Sequence, residues 1–197
     1  MNNWTEYNRD TIEYVKQPER GYLHKPTGQL FTGKGITRFL YGYKQKLNAT
    51  AVQAGLSMHA ELEHGEIASK PAKAIHTYCE ANFDKLYKEI FFAGDFFGKP
   101  CVGYADSVAV TGDKLCLIEF KFSSKPENMN KGNTTWRCQL AMEAMLMHEM
   151  HGIMPKMYEI IIAHPKTAKL TVIKGDWTSY GTLLNIAMQK GKNHGLL

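Results

Sequence analysis

The clearest pattern in the chain is a pair of apolar runs, residues 102–110 and 114–122, separated by a Thr-Gly-Asp-Lys turn. Both runs are rich in residues that favour β-strands, and glycine accepts the positive φ that a two-residue hairpin loop requires. The pattern therefore predicts an antiparallel hairpin that turns at Gly112-Asp113. Counting outward from that loop gives the predicted pairs Thr111–Lys114, Val110–Leu115, Val108–Leu117 and Asp106–Glu119.

Three charged side chains are predicted to share one end of one face of this hairpin. Side chains alternate with a period of two, and directly opposed residues have Cβ atoms about 5 Å apart, so Asp106, Glu119 and Lys121 converge. The opposite face is also apolar and would hold Ala105, Ala109, Cys116, Ile118, Phe120 and Phe122. Charged groups on a largely buried face are costly unless they are paired or bind a cation. A buried Glu–Lys ion pair beside a strand-ending aspartate is the simpler interpretation; a metal site is the functional one.

The remaining periodicity predicts a mixed sheet flanked by helices. Helical patterns cover residues 36–46, 49–64, 69–87, 133–150 and 177–190. Additional short apolar runs predict strands at residues 88–92, 156–163 and 169–173. This order favours an α/β fold, an α+β arrangement with a central mixed β-sheet. We expect residues 1–35, which are polar and rich in turn residues, to form an arm or irregular lead-in, and residues 36–197 to form a single domain.

Composition adds little to this picture. The chain has 197 residues and a formal charge of +5, which agrees with a polyanionic partner but is common among proteins that bind none. It has no apolar stretch approaching the roughly 20 residues of a membrane span and no secretory signal pattern, so we expect a cytoplasmic protein without a membrane partner. None of the four cysteines forms a C-x2-C pair, which disfavours structural zinc.

A second set of chemically active residues lies on predicted helices. His59 and Glu63 stand four residues apart after Gly55, hence on one helical face, and Gln139 lies on a later helix. The order is G-x3-H-x3-E, then Glu89, then G-x2-D, E-x-K and a helix glutamine. This order resembles the RecB-like branch of the PD-(D/E)XK nuclease superfamily. The likeness is closest to the small single-domain exonucleases of phages and of mitochondrial genome maintenance.

The resemblance implies a restriction-endonuclease-like core and a metal site. Asp106, Glu119, His59 and the backbone carbonyl of Phe120 match the ligands of one or two Mg²⁺ or Mn²⁺ ions, and Lys121 matches the lysine that positions the attacking water. Carboxylate and carbonyl oxygens suit Mg²⁺, and an imidazole ligand extends tolerance to Mn²⁺. Some RecB-like relatives carry an iron–sulfur cluster, but no cysteine follows Cys138, so we expect none.

Other positions match accessory and nucleic-acid-binding roles. Glu63, Glu89 and Gln139 match polar positions near such sites, although the family's tyrosine four residues after the glutamine is Glu143 here. In the family, threonine or serine commonly follows the lysine. Here Phe122 follows Lys121, and Ser123 comes next. The basic residues that follow the motif could track a DNA backbone, and Tyr104 could stack on an unpaired base, whereas Trp136 is expected to pack in the core. These predicted DNA contacts are Tyr104, Ser123, Lys125, Lys131 and Arg137.

The predicted function is a metal-dependent DNA exonuclease of replication, recombination or repair. If a phage encodes it, it would act in the host-cell cytoplasm. By family likeness its products carry 5′-phosphates. The alternative is a structure- or sequence-dependent DNA endonuclease of the same fold. A zinc deaminase is disfavoured because its pattern requires a second cysteine at position 104, which is tyrosine. An inactive DNA binder would have no reason to keep all of Asp106, Glu119 and Lys121. Polarity, strand preference, homo-oligomerisation and protein partners stay open.

Overall fold

A computed structural model describes residues 4–16, 21–42, 49–123 and 134–197. Its α-helices are α1 (Ile36–Tyr41), α2 (Ala49–His64), α3 (Lys70–Asn82), α4 (Thr134–His151) and α5 (Tyr180–Asn193). Its strands are β1 (Ile12–Val15), β2 (Gly21–His24), β3 (Gln29–Phe31), β4 (Lys34–Gly35), β5 (Lys85–Asp95), β6 (Pro100–Thr111), β7 (Lys114–Phe122), β8 (Met157–Ala163) and β9 (Leu170–Gly175). Among the helices of these ranges, none combines the length and apolarity needed to cross a membrane.

The main sheet forks beside strand β6. On one edge, β6 pairs with β5 over nearly its whole length. Its other edge pairs with β7 only from Ser107 to Thr111, and with the short strand β4 only at Cys101 and Val102. On its other edge, β7 pairs in parallel with β8 from Cys116 to Phe122, and β8 pairs antiparallel with β9. A gap therefore opens between β6 and β7 at residues 103–106.

Helices cover both faces of this mixed sheet, as the sequence predicts. One core cluster packs α1, α4 and α5 against the sheet, with Phe39, Leu140 and Leu183 among its buried side chains. A second cluster packs Leu62 of α2 and Ile75 of α3 against the other face. Side chains from both layers can reach the gap because it lies within the sheet itself.

The predicted hairpin is confirmed over most of its length. Gly112 adopts φ of 57°, and the ladder pairs the residues from Thr111–Lys114 to Ser107–Ile118 in the predicted register. The ladder ends there, so the predicted Asp106–Glu119 pair is not part of it. The predicted side-chain faces are also wrong at this point: Ala105 and Val108 pack in the same core cluster, although residues three apart in a regular strand face opposite sides.

Three other predictions differ from the structure. The helix predicted over residues 36–46 is α1, which ends at Tyr41 with Gly42 as its C-cap at a φ of 70°. The helix predicted to reach residue 87 ends at Asn82, because Phe83 is extended and the backbone N–H of Asp84 donates to the carbonyl of Val110, which starts the pairing of β5 with β6. Residues 1–35, predicted as an arm or irregular lead-in, contain β1, β2 and β3, which form an antiparallel sheet. That small sheet packs on β5 and β6 through Tyr22, Phe31 and Phe91. The division into an arm and one domain stays a prediction.

Candidate active site

A cleft of about 830 Å³ opens at the fork between β6 and β7. It gathers residues from both helical layers, from four strands of the main sheet and from the N-terminal segment. Most of the residues predicted from sequence line it, namely His59, Glu63, Glu89, Tyr104, Asp106, Glu119, Lys121 and Gln139. The sequence-predicted constellation is thus one site in three dimensions.

Asp106 lies at the point where the strands part. Its Oδ2 accepts a hydrogen bond of 2.7 Å from the backbone N–H of Phe120. Its Oδ1 lies 3.7 Å from Nδ1 of His59, which projects from α2. The carboxylate therefore takes the place of the next ladder pair and joins the E-x-K segment to the histidine helix. The role of the Phe120 carbonyl as a metal ligand stays a prediction.

Glu119 is held from two sides and is almost completely buried. One carboxylate oxygen pairs with Nζ of Lys121. The other accepts a 2.8 Å hydrogen bond from Nε2 of Gln139 on α4. Burial lowers the pKa of Lys121, and the nearby carboxylates of Asp106 and Glu143 partly oppose that shift. The predicted lysine thus lies among acids at the cleft, and Gln139 orients the adjacent carboxylate.

Glu143 extends this network into the core. Nε2 of Gln139 donates to its Oε1 at 3.0 Å, while its Oε2 has no hydrogen-bond partner within the described ranges. Burial is the main cause that raises the pKa of Glu143, to about 8, and the charge of Asp106 raises it further. The side chain is therefore mostly protonated at neutral pH. Glu143 is thus a neutral acid beside Gln139 that can donate a proton in a hydrogen bond.

Glu63 and Glu89 are bridged by a residue that the sequence interpretation missed, Arg9. Its Nη1 donates to Oε2 of Glu63 at 3.0 Å and its Nη2 donates to Oε2 of Glu89 at 2.9 Å. Burial, followed by the charge of Asp106, raises the pKa of Glu89 to about 7, while Arg9 opposes that shift. The N-terminal segment therefore contributes a cation directly to the site.

The signal for Arg9 was weak in the sequence, because nothing local distinguishes one arginine in a polar segment. Its position depends on long-range backbone pairing: the N–H of Phe91 donates to the carbonyl of Tyr7, and Asn8 forms a bridge with Ile90. These contacts place the residues just before Arg9 against β5. The available clue would have been Tyr7, an aromatic residue just before Arg9 that packs against the core.

The predicted DNA-binding residues separate into different places. Tyr104 lines the cleft. The backbone N–H of Ser123 donates to Ala163 at the end of β7, and Nε of Arg137 donates to the hydroxyl of Tyr158, outside the cleft lining. Lys125 and Lys131 lie outside the described residues. Trp136 is mostly buried, as expected, but its ring also lies 5.7 Å from Nζ of Lys121.

The donor types in the cleft fit a hard divalent cation. Two carboxylates and an imidazole, from Asp106, Glu119 and His59, line the same space. Across the described ranges, however, no three His, Cys, Asp or Glu side chains are gathered into a ready coordination set. Lys121 and Arg9 instead balance the acidic charge. The chemical types of these side chains therefore suit a divalent cation, and basic side chains are paired with several of the acids.

Comparisons with known proteins identify the fold only. No family model and no curated protein matches the chain. Among solved structures, a protein described as a "putative exonuclease" from Eubacterium rectale matches with a TM-score of 0.58 and 13% identity, covering 84% of this chain and 82% of its own. The crystal structure of SSO0001 matches with a TM-score of 0.44 and 15% identity, covering 79% and 73%, and at that score it carries no argument.

The chain therefore shares its fold with the E. rectale protein over most of both lengths. At 13% identity this likeness says nothing about individual residues. The cleft described above supplies the residue-level information independently.

Proposed function

We propose that this protein is a divalent-metal-dependent DNA exonuclease that hydrolyses phosphodiester bonds in replication, recombination or repair and leaves 5′-phosphates. The observation that carries the proposal is the meeting of Asp106, Glu119, Lys121 and His59 in one cleft at the sheet fork. The fold shared with a protein described as an exonuclease supports the reaction class. The resemblance of the motif order to RecB-like nucleases supports DNA as the substrate.

The side chains divide the chemical work. Asp106 and Glu119, with His59, would hold Mg²⁺ or Mn²⁺. A bound divalent cation would neutralise charge on the phosphate and lower the pKa of a bound water. Lys121 lies beside both acids and would position the attacking water and stabilise developing negative charge. Burial lowers the pKa of Lys121, which makes proton transfer by this amine easier than by an exposed lysine.

Gln139 and Glu143 would act by positioning. Gln139 holds the carboxylate of Glu119 through Nε2, and the same nitrogen contacts the buried acid Glu143. Because groups that hold a ligand in place can change metal affinity or activity by about 10- to 100-fold, this pair belongs to the machinery although it is set back from the reacting atoms.

The test uses end-labelled linear DNA and covalently closed circular DNA, each single- and double-stranded, with Mg²⁺, Mn²⁺ or EDTA. We expect linear DNA to be degraded from an end in either metal, circles to be spared, and EDTA to stop the reaction. Cutting of circles would replace the proposal with an endonuclease. Binding without cleavage under any of the metal conditions would indicate a DNA-binding protein instead.

Variants assign the reaction to this cleft. Lys121→Ala and Asp106→Asn should each reduce the cleavage rate by about 100-fold or more, because each removes a group at the reacting centre. Lys114→Ala is the matched control: it removes the same charge from the same strand at the exposed hairpin end. Wild-type rates for Lys121→Ala would reject the site. His59→Ala should raise the metal concentration needed for half-maximal activity.

A further inference from the structure

Arg9 is held in an unusual way for a side chain that is 55% exposed. The two carboxylates that hold it belong to different elements, Glu63 on α2 and Glu89 on β5, and these side chains are only 12% and 11% exposed. Glu89 in turn has a backbone φ of 50°, which is rare for a residue other than glycine and marks a position that the surrounding structure holds in place. The guanidinium edge is thus fixed by well-anchored partners.

One face of the same guanidinium is also occupied. Its central carbon lies 5.5 Å from the centre of the Tyr104 ring, within cation–π distance. Tyr104 itself is supported by edge-to-face contacts with Phe91 at 5.2 Å and Tyr22 at 6.2 Å. The guanidinium therefore has two fixed nitrogen atoms and an aromatic support, and Arg9 lines the cleft.

Charge balance distinguishes this arrangement from a phosphate clamp. A phosphate-binding arginine offers its paired N–H groups to the anion, but Nη1 and Nη2 of Arg9 already donate to carboxylates. Two acids also offset its single positive charge. Besides the N–H groups that these two bonds do not use, the guanidinium presents a flat, rigid, weakly hydrated surface, and such planes stack on nucleobases much as aromatic rings do.

We propose that Arg9, supported by Tyr104, is a stacking platform for an unpaired nucleobase of the substrate strand. This inference rests on the proposed nuclease function and makes it more specific: a single-stranded segment enters the cleft, and a base rather than a phosphate contacts the N-terminal segment. Stacking tolerates any base, because every base has a π-face. The platform would therefore favour unpaired strands over duplex without selecting a sequence.

The experiment measures binding of a fluorescein-labelled single-stranded oligonucleotide by anisotropy. It is run in EDTA and separately with Ca²⁺, and a set of strands carries one abasic nucleotide at successive positions from the end. A stacked base contributes about 1–3 kcal/mol. We therefore expect one abasic position to weaken wild-type binding by about 5- to 150-fold. In Arg9→Lys, the normal strand should bind about as weakly, and the abasic position should add little.

The variants separate stacking from charge and from folding. Arg9→Lys keeps the positive charge but lacks the planar face, and Lys99→Ala removes one exposed charge outside the cleft lining as a control. Tyr104→Phe should keep the abasic effect because it keeps the ring, whereas Tyr104→Leu should reduce it. Thermal melting of each variant identifies any that do not fold, and the Tyr104 pair then decides the question without Arg9.

The outcomes distinguish the two proposals. An abasic effect that is equal in wild type and Arg9→Lys, or one that is absent at every position, overturns the platform while leaving nuclease activity standing. No binding of single-stranded DNA in either condition overturns it as well. If the wild-type protein cleaves no DNA in the presence of metal, the proposed function is overturned. An abasic effect seen in wild type and lost in Arg9→Lys would then support a cleft that binds single strands without cleaving them.

Discussion

Asp106 and Glu89 occupy facing positions in two paired strands, yet neither takes part in the ladder there. Pairing runs through Lys88–Ser107 and resumes at Ile90–Ala105. The left-handed φ of Glu89 redirects its side chain, and Asp106 bonds the backbone of β7 instead. Such strained conformations cost about 1–3 kcal/mol and concentrate at functional sites. Both acids line the cleft at this interruption.

Gln139 offers a test of positioning at this scale. Gln139→Met keeps the side-chain length but removes the N–H groups that hold Glu119 and Glu143. We expect the cleavage rate to fall by about 10- to 100-fold, with an increase in the metal concentration needed for activity. Steady-state cleavage across a Mn²⁺ titration measures both effects. Gln139→Glu is a second variant that also removes the amide N–H groups. Unchanged kinetics in Gln139→Met would show that the side chain of Gln139 contributes only packing.

Glu143 makes stability depend on pH in a direction opposite to most carboxylates. Its pKa is raised from 4.5 to about 8, so the folded protein keeps a proton that the unfolded chain has lost between those values. The free energy of unfolding therefore falls as pH rises from about 4.5 to about 8, and this contribution then levels off. Glu143→Gln mimics the protonated acid and can still accept from Gln139.

We expect Glu143→Gln to match the wild-type melting temperature near pH 4.5 and to exceed it by about 5 °C at pH 8, since a few kcal/mol shift the Tm of a chain of this size by several degrees. Thermal melts at half-unit pH steps give the difference curve. A constant difference across that range would show that Glu143 is not the titrating group.

At the scale of elements, α3 shows how local chemistry defines one helix end and tertiary contacts the other. It begins where the hydroxyl of Ser69 accepts from the N–H of Ala72, with a proline in the first turn. The carboxylate of Glu61 also accepts from the N–H groups of Ala68 and Ser69. The end of α3 is set by the pairing of the following residues with β6, and no local sequence signal predicts that pairing.

The cap gives a stability prediction. Ser69→Ala removes the acceptor for the N–H of Ala72 and should reduce the free energy of unfolding by about 1 kcal/mol. Ser69→Asp keeps an acceptor, adds a favourable charge at the helix N-terminus and should stay near wild type. Urea unfolding of the three proteins measures the difference. Equal midpoints for wild type and Ser69→Ala would mean that Glu61 alone satisfies this helix start.

Across the whole molecule, the charge of +5 bears on association with a polyanion. Contact with about three phosphates of a single strand should lower affinity by about 20-fold between 50 and 200 mM salt, because released counterions set the slope. Anisotropy titrations at several salt concentrations measure it. If Arg9 acts through stacking, Arg9→Lys should leave the slope unchanged while weakening affinity at every salt concentration, and a shallower slope would indicate a phosphate contact.

The sequence by itself determined the local features of this protein: the β6–β7 turn and its register, the bounds of α2 and β7, the capped start of α3 and the identity of the acids and lysine at the cleft. These depend on periodicity and turn chemistry between residues close in the chain. Only the tertiary structure decided which residues complete the site. Arg9 meets Glu63 and Glu89 across 54 and 80 residues. The ladder between β6 and β7 stops before Asp106, whose carboxylate accepts from the backbone of Phe120 instead, and such long-range contacts have no local signature.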